Sequence, residues 1–143
     1  MREIVAATGF FSAEEVRIAE ELVEERLSQG PDSGYLFLFA DRGGETVGYT
    51  CYGPIPLTAA SYDLYWIAVH PSAQGGGLGR RLLAATEKRI CALGGRRVYA
   101  ETSSRPQYLP TRAFYERCGY RTAALLEDFY APGDGKVIFE KVL

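Results

Sequence analysis

The spacing of apolar positions changes repeatedly along this 143-residue chain, and each change marks a new element. Val16, Ala19, Leu22, Val23 and Leu27 recur at helical spacing. Ser12-Ala13-Glu14-Glu15 has the form of a capping box, with Phe11 and Val16 placed to staple the entry, and Gly30-Pro31 ends the run. Tyr35 to Ala40 and Thr46 to Tyr52 are rich in β-forming residues, and Asp41-Arg42-Gly43-Gly44 between them predicts a hairpin. Gly53-Pro54-Ile55-Pro56 is expected to break the second strand and open a loop. A third strand spans Tyr62 to Val69, followed by a glycine-rich turn and a helix from about Gly77 to Leu93, closed by Gly94-Gly95. Arg97 to Thr102 reads as a strand and Thr111 to Cys118 as a short helix ending at Gly119. The tail divides into strands Tyr120 to Tyr130 and Lys136 to Val142, around Ala131-Pro132-Gly133-Asp134-Gly135.

The order is therefore helix, three strands, helix, strand, helix, two strands. It predicts one α/β domain over residues 1–143, with a mixed sheet covered by helices. Neither an internal repeat nor a long linker divides it. With 47% apolar and 24% charged residues the composition is that of a globular protein with its own core. A net charge of −2 without a basic stripe gives no support for nucleic-acid binding. No apolar run reaches membrane-spanning length, and the N-terminus has no signal-peptide core, so no membrane partner is expected. Cys51, Cys91 and Cys118 are odd in number and widely spaced, which fits a reducing cytoplasm better than disulfides or zinc. His70 is the sole histidine and reads as a turn residue before Pro71, so no metal site is expected.

The segment with most chemical content is Val69-His70-Pro71-Ser72-Ala73-Gln74-Gly75-Gly76-Gly77-Leu78-Gly79-Arg80. A glycine turn between strand and helix leaves main-chain N–H groups free at a helix N-terminus, where the helix dipole adds positive charge. That arrangement suits a phosphate or pyrophosphate. A nucleotide P-loop is excluded because no Gly-x-x-x-x-Gly-Lys-Ser/Thr is present, and the dinucleotide fingerprint fails because Arg80 stands where a third glycine is needed. Gln74-x-x-Gly77-x-Gly79 preceded by Val69-x-Pro71 instead resembles the acetyl-coenzyme A signature of the GNAT superfamily of N-acetyltransferases. Arg112-Ala113-Phe114-Tyr115-Glu116-Arg117-Cys118-Gly119-Tyr120 is similar to the Phe-Tyr-Glu-Lys-x-Gly-Phe segment of the same family.

The resemblance implies a single-domain GNAT-like fold with a mixed, mostly antiparallel sheet flanked by helices. The family usually begins with a further strand and helix. Residues 2–9 leave room for one of them, and Ile4, Val5 and Thr8 suit the end of a short helix. The first strand is therefore expected to be missing, with the sheet edge exposed or covered by a partner, as in a homodimer. The implied cofactor is acetyl-CoA. Main-chain groups from Gln74, Gly75, Gly76, Gly77, Leu78, Gly79 and Arg80 would hold its pyrophosphate, and the backbone of Ile67, Ala68 and Val69 would pair with its pantetheine arm. Leu82 and Leu83 are expected in the core.

Acetyl transfer to an amine needs a deprotonated nucleophile, a stabilised oxyanion and a hydrogen bond or proton for the departing thiolate. By resemblance, Tyr115 lies near the coenzyme sulfur as general acid; the plainer alternative is a packed aromatic like Phe114. Tyr108 stands where the family often has asparagine, seven residues before that tyrosine. Asp63, near the start of the third strand, is the first candidate base and Glu101 the second; the plainer alternatives are a surface aspartate at a strand start and a glutamate paired with an arginine. The expected acceptor is a small-molecule or peptide amine, attacking the thioester directly. The rival reading is a non-catalytic acyl-CoA sensor or complex subunit, which would need neither Tyr115 nor a carboxylate.

Overall fold

A computed structural model of the protein describes Glu21 and residues 23–143. Helix α1 takes in residues 23–29. It is followed by β1 (Leu36–Arg42), β2 (Glu45–Pro54), β3 (Ser61–Val69), α2 (Leu78–Ala92), β4 (Arg97–Ser103), α3 (Leu109–Arg117), β5 (Arg121–Ala131) and β6 (Asp134–Val142). The capping box, the staple and the expectation of a missing first strand lie outside the described residues.

One six-stranded sheet has the order β1-β2-β3-β4-β6-β5. Among the described residues only β3 and β4 run parallel, and every other pairing is antiparallel. The mixed, mostly antiparallel sheet matches the expectation from the resemblance. The first two strands both run further than their sequence pattern predicts. The first hairpin turns only at Gly43 and Gly44, both left-handed, so β1 continues through Asp41 and Arg42. The second strand runs through Gly53-Pro54 instead of breaking there. Pro54 ends the strand, where a missing N–H costs little. Gly53 is required by close packing, because a Cβ there would overlap the Gly34 carbonyl.

Helix α2 packs on β1, β2 and β3. Its buried face carries Leu82, Leu83, Thr86 and Ile90, as the apolar spacing required. Thr86 Oγ1 donates to the Leu82 carbonyl and lies 2.8 Å from Thr50 Oγ1, which closes the one polar contact of this buried face. The core continues across the sheet through Tyr52, Leu64, Val98, Ala100, Tyr115, Tyr120 and Phe139. Helix α3 begins two residues earlier than Thr111, since Pro110 fits the first turn. It stops where Gly119 takes a φ of 91° and the Tyr120 N–H reaches the Tyr115 carbonyl at 3.0 Å.

Candidate active site

The parallel pairing of β3 and β4 covers only Ser61–Leu64 against Arg97–Ala100. Beyond those four rungs the strands diverge, and a cleft of about 840 Å³ opens between them. That volume suits a small-molecule or cofactor site. Ile67, Ala68 and Val69 line one wall, while Glu101, Thr102 and Ser103 line the other. On the cleft side, Ile67 and Val69 have no ladder partner on β4, so the edge is available to an extended ligand arm.

The glycine turn closes one end. Gly75, Gly77, Leu78, Gly79 and Arg80 line the cleft. The first main-chain bond of α2 runs from the Arg81 N–H to the Gly77 carbonyl at 3.1 Å, and no main-chain carbonyl accepts from the N–H groups of residues 75–80 among the described residues. These donors and the helix dipole make the turn an anion cradle. Gly77 caps the helix with φ 76°, a left-handed conformation that glycine adopts without penalty. Gln74 also lines the cleft, but its N–H is spent on the Pro71 carbonyl (3.2 Å) and its side-chain amide on the Val69 carbonyl (2.9 Å). Gln74 therefore braces the loop. Gly76 does not line the cleft; its carbonyl accepts from Arg81 Nη1 at 3.1 Å. His70 caps the short turn through Nδ1, which accepts from the Ser72 N–H at 3.2 Å, as its position before Pro71 suggested.

Tyr115 lines the same cleft from α3 and is only 5% exposed. Its ring packs against Phe114, Tyr120 and Phe139 at centroid distances of 5.6, 5.5 and 5.3 Å. Burial pushes the phenol well above its ordinary range, with the neighbouring Cys118 adding to the effect. The group therefore stays protonated and is a hydrogen-bond donor at any working pH. A full proton transfer to a thiolate would run uphill, since a thiol is the stronger acid.

The two carboxylates meet on the opposite side of the fork. Asp63 pairs in register with Tyr99, and Glu101 lies two residues further along β4, on the same face of the sheet. They line a second pocket of about 260 Å³ together with Leu64, Tyr65 and Tyr130. Tyr65, Glu101 and Tyr130 line both spaces, so the pocket and the cleft adjoin. Burial raises the Asp63 carboxyl and the Glu101 charge raises it further, while Lys136 acts in the opposite direction. Tyr65 is pushed up to about 12, first by burial and then by Asp63. Glu101 itself is held by Lys136 Nζ at 2.8 Å.

Beyond Glu101, the far wall holds residues that no sequence pattern marks. Asp134 of the last turn lines the cleft, accepts from the Ser103 hydroxyl and pairs with Arg105 at 3.2 Å. Arg112 Nη1 ties the Ser103 and Arg105 carbonyls at 2.8 and 2.9 Å. The contacts of Asp134 join segments far apart in the chain, whereas Arg112 reaches back along its own approach to α3. Among the described residues, no group of three or more His, Cys, Asp or Glu side chains is placed to hold a metal ion. No described helix is long and apolar enough to cross a membrane.

Comparison with known proteins agrees with this geometry. The family model described as acetyltransferase (GNAT) family matches residues 4–120. A Desulfovibrio desulfuricans protein assigned to the GNAT family has a crystal structure that superposes with a TM-score of 0.97 at 49% identity, covering 99% of this chain and 89% of that one. PaiA N-acetyltransferase from Thermoplasma acidophilum, solved with coenzyme A, shares the fold at a TM-score of 0.72 and 22% identity, covering 99% of this chain and 87% of that one. Mycothiol acetyltransferase from Streptomyces bingchenggensis is 33% identical over 88 residues, 60% of this chain. The chain spans little more than a quarter of that protein's length, 27%. With the family model matching most of its length over the same fork and glycine turn, the chain belongs to the GNAT family of acetyltransferases.

Proposed function

We propose that the protein is an acetyl-CoA-dependent N-acetyltransferase acting on a primary amine of a small molecule or peptide, by direct attack on the thioester. The observation that carries this reading is the junction at Glu101. On one side lies the cleft with an anion cradle, an open strand edge and Tyr115; on the other lies the pocket with Asp63.

In this reading the N–H groups of Gly75, Gly77, Leu78, Gly79 and Arg80 hold the pyrophosphate, with Gln74 bracing the loop around them. The main chain of Ile67, Ala68 and Val69 takes the pantetheine arm and offers a donor to the thioester oxygen. Asp63 accepts a proton from the ammonium of the acceptor. Its raised carboxyl narrows the gap to an alkylammonium, whose ordinary pKa is about 10.4. The freed amine nitrogen bonds to the thioester carbon and gives up its extra proton to solvent, the oxyanion collapses, and the carbon–sulfur bond breaks. Tyr115 donates a hydrogen bond to the departing thiolate, which then takes a proton from solvent.

An acyl-cysteine route is disfavoured. Cys51 is buried in β2 and lines neither space, and Cys91 is exposed on α2. Cys118 lines the cleft, but burial and then Glu87 raise its thiol, which holds back the reactive thiolate.

The test mixes purified protein with acetyl-CoA and a panel of primary amines and follows free thiol. The expected result is thiol release that depends on the amine. Acetyl-CoA that raises Tm without turnover across a broad panel would favour a non-catalytic acyl-CoA sensor instead.

A further inference from the structure

Lys136 has no place in the reaction just described, yet among the described residues it is the one cation paired with a carboxylate of the acceptor pocket. It lies on β6, opposite Ser103 and diagonal to Glu101 in the ladder. Its side chain is only 15% exposed, against 46% for Glu101, and its Nζ stands 4.5 Å from the centroid of the Phe129 ring. A lysine this enclosed has lost much of its rotamer freedom. A pair with one half-exposed partner returns little stability. The arrangement is better explained by where it puts charge.

We propose that Lys136 is a positioning residue for acetyl transfer: by holding Glu101 and cancelling its charge, it leaves Asp63 as the single net negative group that the described residues bring to the acceptor pocket. The proposal rests on the reading of Asp63 as base. It also names the acceptor more closely. A pocket of about 260 Å³ with one net negative charge and two phenol rings fits a small amine carrying one positive charge better than a diamine.

The remaining titratable groups facing Asp63 are phenols, so they do not compete for this role. Tyr65 comes from its own strand, backed edge-on by Tyr35 at 5.3 Å. Tyr99 is its register partner on β4, Tyr130 comes from β5, and Gly53 lies opposite on β2. Glu101 and Lys136 are therefore the charges that set its titration, and they act with opposite signs.

That opposition supplies the test. The Asp63 carboxyl is titrated by 13C NMR in the wild-type protein, Lys136→Met and Glu101→Gln, and the acidic limb of kcat/KM is recorded for the same proteins. Lys136→Met retains the apolar stem over Phe129, and Glu101→Gln is nearly isosteric, so both are expected to fold. Lys136→Met should move the midpoint up by about 0.5 to 1 pH unit and Glu101→Gln should move it down by a similar amount. Lys136→Arg should restore the wild-type value, and Lys136→Met should gain activity on diamines relative to monoamines. A midpoint that stays put in either variant, or moves the same way in both, overturns the proposal. If the NMR midpoints move as stated while the kinetic limb does not follow, the charge coupling stands and Asp63 is not the base.

Discussion

Replacing Tyr115 by phenylalanine removes one oxygen and leaves the ring where it is. The contacts that hold this side chain are ring contacts with Phe114, Tyr120 and Phe139, all of which phenylalanine keeps. The residue is 5% exposed, so removing the oxygen leaves the packing behind the ring unchanged. A hydrogen bond to an ionised partner contributes about 1.5–3 kcal/mol. At a tenfold change per 1.36 kcal/mol, its loss in the transition state lowers kcat by about 10- to 150-fold. The ground-state thioester sulfur is a poor acceptor, so the Kd for acetyl-CoA should change by less than about twofold. Thiol release under saturating acetyl-CoA gives kcat, calorimetry gives Kd, and a thermal melt checks the fold, where a shift below about 3 °C is expected. A kcat within twofold of wild type, with the fold intact, would remove Tyr115 from the reaction and return it to the core.

Other substitutions test the remaining parts. Gly77→Ala meets no crowding, since the nearest atom is Arg81 Nη1 at 4.0 Å, but it forces an L-residue to φ 76°. The cost of roughly 1 kcal/mol should raise the Kd for acetyl-CoA about fivefold in calorimetry. Gln74→Ala frees the Val69 carbonyl and should raise KM for acetyl-CoA several-fold while kcat holds. Asp63→Asn should lower kcat/KM by about 10²- to 10⁴-fold and abolish its acidic limb. Because the Asp63 carboxyl is raised in the fold, ionising it opposes folding; the Asn variant should melt higher at pH 7, with the gain gone below the ordinary aspartate pKa of about 3.9. Thr86→Val strands the buried Thr50 hydroxyl and should cost about 1–3 kcal/mol in denaturant unfolding, much of it recovered by adding Thr50→Val.

Some of this molecule was legible residue by residue. The run from Tyr62 to Val69, the glycine turn and the α2 stripe each follow from local physics: β-forming side chains, positive φ and helical spacing. The same reading misjudged Gly53-Pro54 because the sequence does not show that the Gly34 backbone presses against that glycine. It could not show that β3 and β4 run parallel for four rungs and then part, since strand pairing depends on which segments meet. Tyr115, Asp63 and Glu101 were singled out through resemblance and chemistry, and all three line the cleft or the pocket beside it. Lys136 and Asp134 were not singled out, because one looked like an ordinary strand lysine and the other like a turn residue. Their meaning comes only from Glu101 and Arg105, about thirty positions away.

The parting of β3 and β4 has a mechanical side. Helix α2 rides on β1 to β3, while β5 and β6 are sewn to β4, so the chain forms two leaves. They are hinged at Ser61–Leu64 with Arg97–Ala100 and backed by the shared core and by Glu87, which takes the Tyr120 hydroxyl and Lys141 at 2.9 Å each. At the open end, a molecule lying along both strands would act as a missing rung and bind the leaves together. Cofactor loading should then slow amide exchange at Ile67 and Val69 on one leaf and at Thr102 and Ser103 on the other, in concert.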